Sequence, residues 1–176
     1  HAGKTVDRRE ILAGLETALP SLVQCVTVPF VGDLPQGHMA WDSLLDRDAP
    51  YESTQVPFDH PLWIVYSSGT TGNPKPIVHG HGGIILESAK QSLHHDFRRG
   101  GRYCWLTSSG WIMWNSQFTA LGQGTTVAMF DGAPNYPDMG VIWRFVADEK
   151  LDFFGAGAAF FSGCMKAGLT PRDEVD

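Results

Sequence analysis

Apolar residues along the chain fall into short runs that switch between two periods. Ile11, Leu12, Leu15, Ala18 and Leu19 recur at helical spacing. Asp7 with Glu10 ahead of them resembles a capping box with Asp in place of Ser or Thr, and Pro20 ends the element. Residues 22–29, LVQCVTVP, predict a strand. Residues 31–61 are rich in Gly, Pro and Asp and predict a long surface connection, with a short helix at Trp41–Leu45. Pro61–Tyr66 is an unbroken apolar run, the kind of strand that is buried on both faces.

A Gly-rich stretch follows that run. Pro76–His79 is a possible short strand beyond it, which would make the stretch the tip of a hairpin rather than the entrance to a helix. A helix is predicted from His81 to Phe97, with Ile85, Ala89 and Leu93 sharing one face, the apolar stripe such a helix turns to a core. The remaining elements are a strand at Arg102–Leu106, a helix at Trp111–Leu121 ended by Gly122, and a strand at Thr125–Phe130 closed by Asp131-Gly132. They continue with a helix at Asp138–Lys150, a strand at Leu151–Phe154 and a helix at Ala158–Ala167 ended by Gly168. Strands alternating with helices predict an α/β fold, a mostly parallel sheet with helices on both faces. Ligands collect at the carboxyl ends of such strands. Ser67–Gly72 and Thr107–Gly110 lie at two of those ends.

Composition narrows the picture. The 176 residues are 43% hydrophobic and 18% charged, which fits a globular domain and not a disordered chain. The net charge of −6, with no Lys/Arg run, disfavours nucleic acid and anionic lipid as partners. Cys25, Cys104 and Cys164 are widely spaced among apolar residues. They predict free thiols in a reducing compartment, with neither a disulfide frame nor a zinc site. The most apolar window, DFFGAGAAFFSGCM, is too short and Gly-rich to span a bilayer. A cytoplasmic protein is the resulting expectation. His79-x-His81 and His94-His95 bring no third or fourth metal ligand with them, so no metal site is expected there. One of the first pair lies close enough to the Gly-rich stretch to assist a nucleotide.

Residues 66–79 read YSSGTTGNPKPIVH. Gly69 and Gly72 let backbone amides approach a ligand closely. Ser67, Ser68, Thr70 and Thr71 add hydroxyl donors, and Lys75 adds a charge suited to a polyanion. Pro74 stiffens the arm that carries the lysine. This is not the common P-loop, because Lys75 is followed by Pro76 and not by Ser or Thr. The same residue types also suit a plain surface turn. The order of apolar strand, hydroxyl cluster, paired glycines and Pro-Lys favours phosphate binding.

That ten-residue motif, YSSGTTGNPK, resembles the signature of the adenylate-forming enzymes, the superfamily of acyl-CoA synthetases, adenylation domains and luciferases. Pro76 departs from the glycine that commonly follows the motif lysine. WIVYSSGTTG, IVHGHGG, GWIMWN and CMKAG are similar to the acetyl- and acetoacetyl-CoA synthetase subgroup, the acetoacetyl branch above all. The resemblance implies that Ser67, Ser68, Gly69, Thr70, Thr71, Gly72 and Lys75 hold the phosphates of ATP. It implies that Trp111, Ile112 and Met113, with Trp114 and Asn115 beside them, shape the acyl pocket, and that Lys4 approaches CoA. Core packing is the alternative for Trp111, Met113 and Trp114. Asn115 or Thr107 would face the ketone of a small keto acid.

ATP with Mg²⁺ and CoA are the implied co-substrates, and acetoacetate is the implied acid, with acetate or propionate as alternatives. The family's adenine loop, ribose aspartate, hinge and catalytic lysine are not found in residues 1–176. The resemblance therefore implies part of the N-terminal large domain, with the catalytic residues expected beyond Asp176 and the C-terminal catalytic-lysine domain absent. Such a piece is expected to bind ATP weakly, to make no acyl-CoA alone, and to self-associate through exposed sheet edges. A stand-alone nucleotide-binding module and a non-binding structural domain are the contrasting readings.

Overall fold

The computed structural model describes residues 2–30, 32–45, 48–67 and 72–175. Two compact units account for them, one built from residues 3–54 and the other from residues 55–176.

The first unit holds helix α1 (Arg9–Ala18), strands β1 (Val26–Thr27) and β2 (Met39–Ala40), and helix α2 (Asp42–Leu45). The two strands are parallel, with Val26 opposite Met39. The helix begins later than the capping-box reading implies. Arg8 occupies the cap position without a side-chain bond. Asp7 instead accepts the Arg9 N–H at 2.9 Å. None of the residues of α1 is fully buried. The predicted strand over residues 22–29 shrinks to Val26–Thr27, and Val23 is 96% exposed.

In the second unit, β3 (Pro61–Ser67) and β4 (Lys75–Gly80) form an antiparallel hairpin. Helix α3 (His81–His94) follows directly. Strand β5 (Arg102–Leu106) leads through a 3₁₀ turn (Ile112–Asn115) into α4 (Ser116–Gly122) and β6 (Thr126–Val127). The chain continues with α5 (Val141–Asp148), β7 (Phe153–Ala156), α6 (Ala158–Lys166) and a closing 3₁₀ turn (Pro171–Glu174). Strands β6, β5 and β7 make a parallel three-stranded sheet with β5 in the centre. The α/β class with a parallel sheet and helices is as the sequence predicts, and β5 spans the predicted residues. No described helix is long and apolar enough to cross a membrane.

Two expectations are corrected. Strand β3 is not buried on both faces: Trp63 and Val65 are half-buried, whereas Leu62, Ile64 and Tyr66 are exposed on the other side. Helix α3 turns a different face inward. Ile85 and Leu93 are 66% and 81% exposed, while Ile84, Ser88, Gln91 and Ser92 are covered. Ser88 Oγ lies 3.3 Å from Thr119 Oγ1 on α4, so small polar residues set this helix–helix approach. A one-residue shift turns a helix by about 100°.

The core of this unit lies on β5. Tyr103 and Cys104 are buried, and the Tyr103 ring stacks on Phe153 of β7 with centroids 5.0 Å apart, while Phe97 meets both rings edge-on. Burial pushes the Cys104 thiol from 9.0 up to about 11. The folded thiol therefore stays protonated where the unfolded one ionises. The contribution of Cys104 is intact below pH 9 and is lost as the pH rises from 9 to about 11. Urea midpoints measured across that range should fall by an amount equivalent to roughly 2–3 kcal/mol more in the parent than in a Cys104→Ala variant.

Candidate functional site

The phosphate-type motif forms the connection of the β3–β4 hairpin. Backbone pairing runs from Trp63 opposite His79, through Ile64–Val78 and Tyr66–Pro76, to Ser67 opposite Lys75. The register therefore places the first hydroxyl and the lysine of the motif side by side at the mouth of the bend. Ser68, Gly69, Thr70 and Thr71 lie outside the described residues. Gly72 and Lys75 are exposed, and a Cβ added at Gly72 would meet nothing within 4 Å. The described side of the bend is thus open. Among the described residues no carboxylate forms an ion pair with Lys75. Pro76 has no N–H to donate, and a strand of a two-stranded hairpin tolerates that loss.

Beside the hairpin, a cleft of about 200 Å³ is bounded by Trp63 and His79 from the strands, Ile84 and Ser88 from α3, and Ile112, Met113 and Asn115 from the 3₁₀ turn. Three of the five predicted acyl-pocket residues therefore line one cavity. Trp111 and Trp114 do not line it; Trp111 is 59% exposed and Trp114 half-buried. Trp63 and His79 were not predicted to join this group. They arrive because they are a cross-strand pair, which no sequence spacing displays. The indole N–H of Trp63 is buried without a hydrogen-bond partner among the described residues, leaving a donor beside the cleft.

The 3₁₀ turn is fixed from beneath. Ser116 Oγ donates to the Met113 carbonyl at 2.6 Å, and Tyr103 Oη, 2.7 Å away, donates to Ser116 Oγ. Burial raises the pKa of Tyr103, and the bond to Ser116 offsets part of that shift. The central strand thereby holds the turn that supplies Ile112, Met113 and Asn115.

The histidines sort into different roles. His81 Nδ1 donates to the His60 carbonyl at 2.8 Å, and its backbone N–H bonds the same oxygen at 3.0 Å, so His81 anchors the start of α3. His95 packs on Phe97 and Phe153. Only His79 of the predicted pairs reaches the cleft. Lys4 is exposed and belongs to the first unit.

The sequence pattern of the AMP-binding enzyme family matches residues 2–175. The chain belongs to this family of AMP-binding enzymes. It is 41% identical over 160 residues to the acetoacetyl-coenzyme A synthetase of Rhizobium meliloti, covering 86% of this chain and 25% of that protein. It is 34% identical over 174 residues to the acetoacetyl-CoA synthetase of Danio rerio, covering 91% of this chain and 26% of the relative. The solved acetoacetyl-CoA synthetase of Streptomyces lividans superposes with a TM-score of 0.92 at 43% identity, over 100% of this chain and 28% of that one. The chain thus spans about a quarter of the length of the curated relatives it matches.

Proposed function

We propose that this chain supplies the ATP-phosphate hairpin and part of the acyl pocket of an acid–CoA ligase that activates acetoacetate through an acyl-adenylate. The observation that carries this reading is the hairpin register, which sets Ser67 opposite Lys75 at the base of the connection, with Gly72 and Lys75 exposed. Similarity to acetoacetyl-CoA synthetases from three organisms supports the choice of acid.

The chemistry starts from a poor electrophile. A carboxylate oxygen of the acid attacks the α-phosphorus of ATP. The bond from that phosphorus to the bridging oxygen of pyrophosphate breaks, and pyrophosphate leaves with the electron pair. The thiol of CoA then gives its proton to solvent, its sulfur bonds the acyl carbon, and the bond from that carbon to the phosphate oxygen breaks as AMP departs with the electron pair. Ser67, Ser68, Gly69, Thr70, Thr71 and Gly72 with Lys75 would hold the β- and γ-phosphates and stabilise charge gathering on the leaving group. Residues 66–79 hold hydroxyls, amides and an ammonium but no carboxylate. They do not fit a protein-held Mg²⁺ site, and the ion would arrive on ATP.

The small cleft suits a short acid, with Ile112 and Met113 against its carbon chain and Asn115 beside the ketone. Trp111 and Trp114 would flank it. Lys4 is retained as a contact for the phosphates of CoA. Acid-dependent ATP–pyrophosphate exchange by the intact protein tests this reading. Acetoacetate should exceed acetate and propionate by about 10–100-fold in kcat/KM. Exchange fastest with acetate would transfer the reading to a short-chain acid ligase, and no acid-dependent exchange at all would remove the ligase reading.

A further inference from the structure

The first unit contains a second cluster of chemically active side chains, independent of the ligase reading. Glu16 from α1, Cys25 immediately before β1 and His38 immediately before β2 present a carboxylate oxygen, a sulfur and an imidazole nitrogen that all lie within 4.8 Å of one another. We propose that Glu16, Cys25 and His38 form a zinc-binding site that clips α1 to the β1–β2 pair, with water completing the coordination.

The donors are the three kinds that Zn²⁺ takes in proteins, and one thiolate with one carboxylate would balance its charge. For ordinary zinc bond lengths, tetrahedral ligand atoms stand roughly 3.3–3.6 Å apart. Nε2 of His38 is now 2.5 Å from Glu16 Oε1, so the cluster needs only small side-chain rotations to open around an ion. The backbone already holds two of the ligands together. The Met39 N–H bonds the Cys25 carbonyl at 2.9 Å, and Gln24 Nε2 bridges the Cys25 and Gly37 carbonyls at 3.1 Å each. A cavity of about 290 Å³ bordered by the three ligands leaves room for the fourth position.

The imidazole has an orienting partner as well. Thr27 Oγ1 lies 2.7 Å from His38 Nδ1. With Nε2–H donating to Glu16, the threonine hydroxyl donates to Nδ1. With Nε2 on a metal, Nδ1 carries the proton and donates to the same hydroxyl. Threonine serves both tautomers, and such partners fix ligand imidazoles in metal sites. In the metal-free arrangement the Cys25 thiol donates to Glu16, which raises the thiol's pKa and lowers the carboxyl's. The thiol proton is the one released when sulfur takes the metal, and the histidine proton only changes nitrogen. The helix gains most from such a clip, since α1 has no fully buried residue to fix it. Linear spacing gave no sign of this site, because its three ligands come from three separate elements.

Cobalt(II) titrated into the full chain tests the assignment. One equivalent should produce a sulfur-to-cobalt charge-transfer band that zinc removes, with about one proton released per metal. Cys25→Ala should abolish the band. Thr27→Ala should keep it but weaken binding by about 10–100-fold. Because Cys25→Ala is able to disturb folding, alkylation of the unmodified chain gives a second readout: zinc should slow modification of Cys25, mapped by mass spectrometry. A band that survives in Cys25→Ala, no band at all, or alkylation of Cys25 unaffected by zinc would each overturn the proposal.

Discussion

On the proposed ligase reading, replacing Lys75 with alanine should lower acetoacetate-dependent pyrophosphate exchange of the intact protein by about 10²–10³-fold and leave its folding stability within about 0.5 kcal/mol. The two halves of that expectation rest on different observations. Lys75 is exposed at the start of β4, opposite Ser67, and no described carboxylate forms an ion pair with it. Its removal therefore deprives the fold of nothing buried. The departing pyrophosphate of the proposed reaction, in contrast, would lose a cation at the mouth of the bend while charge accumulates on it. A donor aimed at developing charge is worth several kcal/mol in a preorganised site. Lys75→Arg keeps the charge but changes its shape and should retain part of the rate. An unchanged exchange rate in Lys75→Ala would leave the motif as an ordinary turn and remove the chemical basis of the ligase reading.

The hairpin is legible in the sequence because its signals are local. An apolar run, a cluster of turn-formers and a second short run with Pro76 at its start are read directly along the chain. The cleft was half legible. Ile112, Met113 and Asn115 are close in sequence and are carried by one turn, so the family motif located them together. Trp63 and His79 were missed because their meeting depends on hairpin register, and the register depends on the loop between them. The inner face of α3 was misread because hydrophobicity was the only guide. Ile85, Ala89 and Leu93 share a stripe, but that stripe is open, and Ser88 gives the close approach to Thr119. The short strands β1 and β6 illustrate a related limit. β-propensity marks a segment able to pair, while the partner alone decides how many residues do.

Tyr103→Ala is the substitution expected to cost the fold most, about 3–5 kcal/mol. Tyr103 is 2% exposed on the central strand of the parallel sheet, stacked on Phe153 and met edge-on by Phe97. Truncation removes the apolar contacts of one ring of a three-ring cluster and leaves a cavity that a strand backbone, paired on both sides, cannot close. Tyr103→Phe separates the ring from its hydroxyl. It retains the stack and loses only the bond to Ser116, for a cost of about 1 kcal/mol. The two variants should also differ at the cleft. Ser116 can still donate to the Met113 carbonyl in Tyr103→Phe, so the turn bearing Ile112, Met113 and Asn115 persists. Urea unfolding of both variants, with acetoacetate-dependent exchange measured on each, checks the argument. Equal destabilisation by the two would assign the energy to the hydroxyl and not to the aromatic stack.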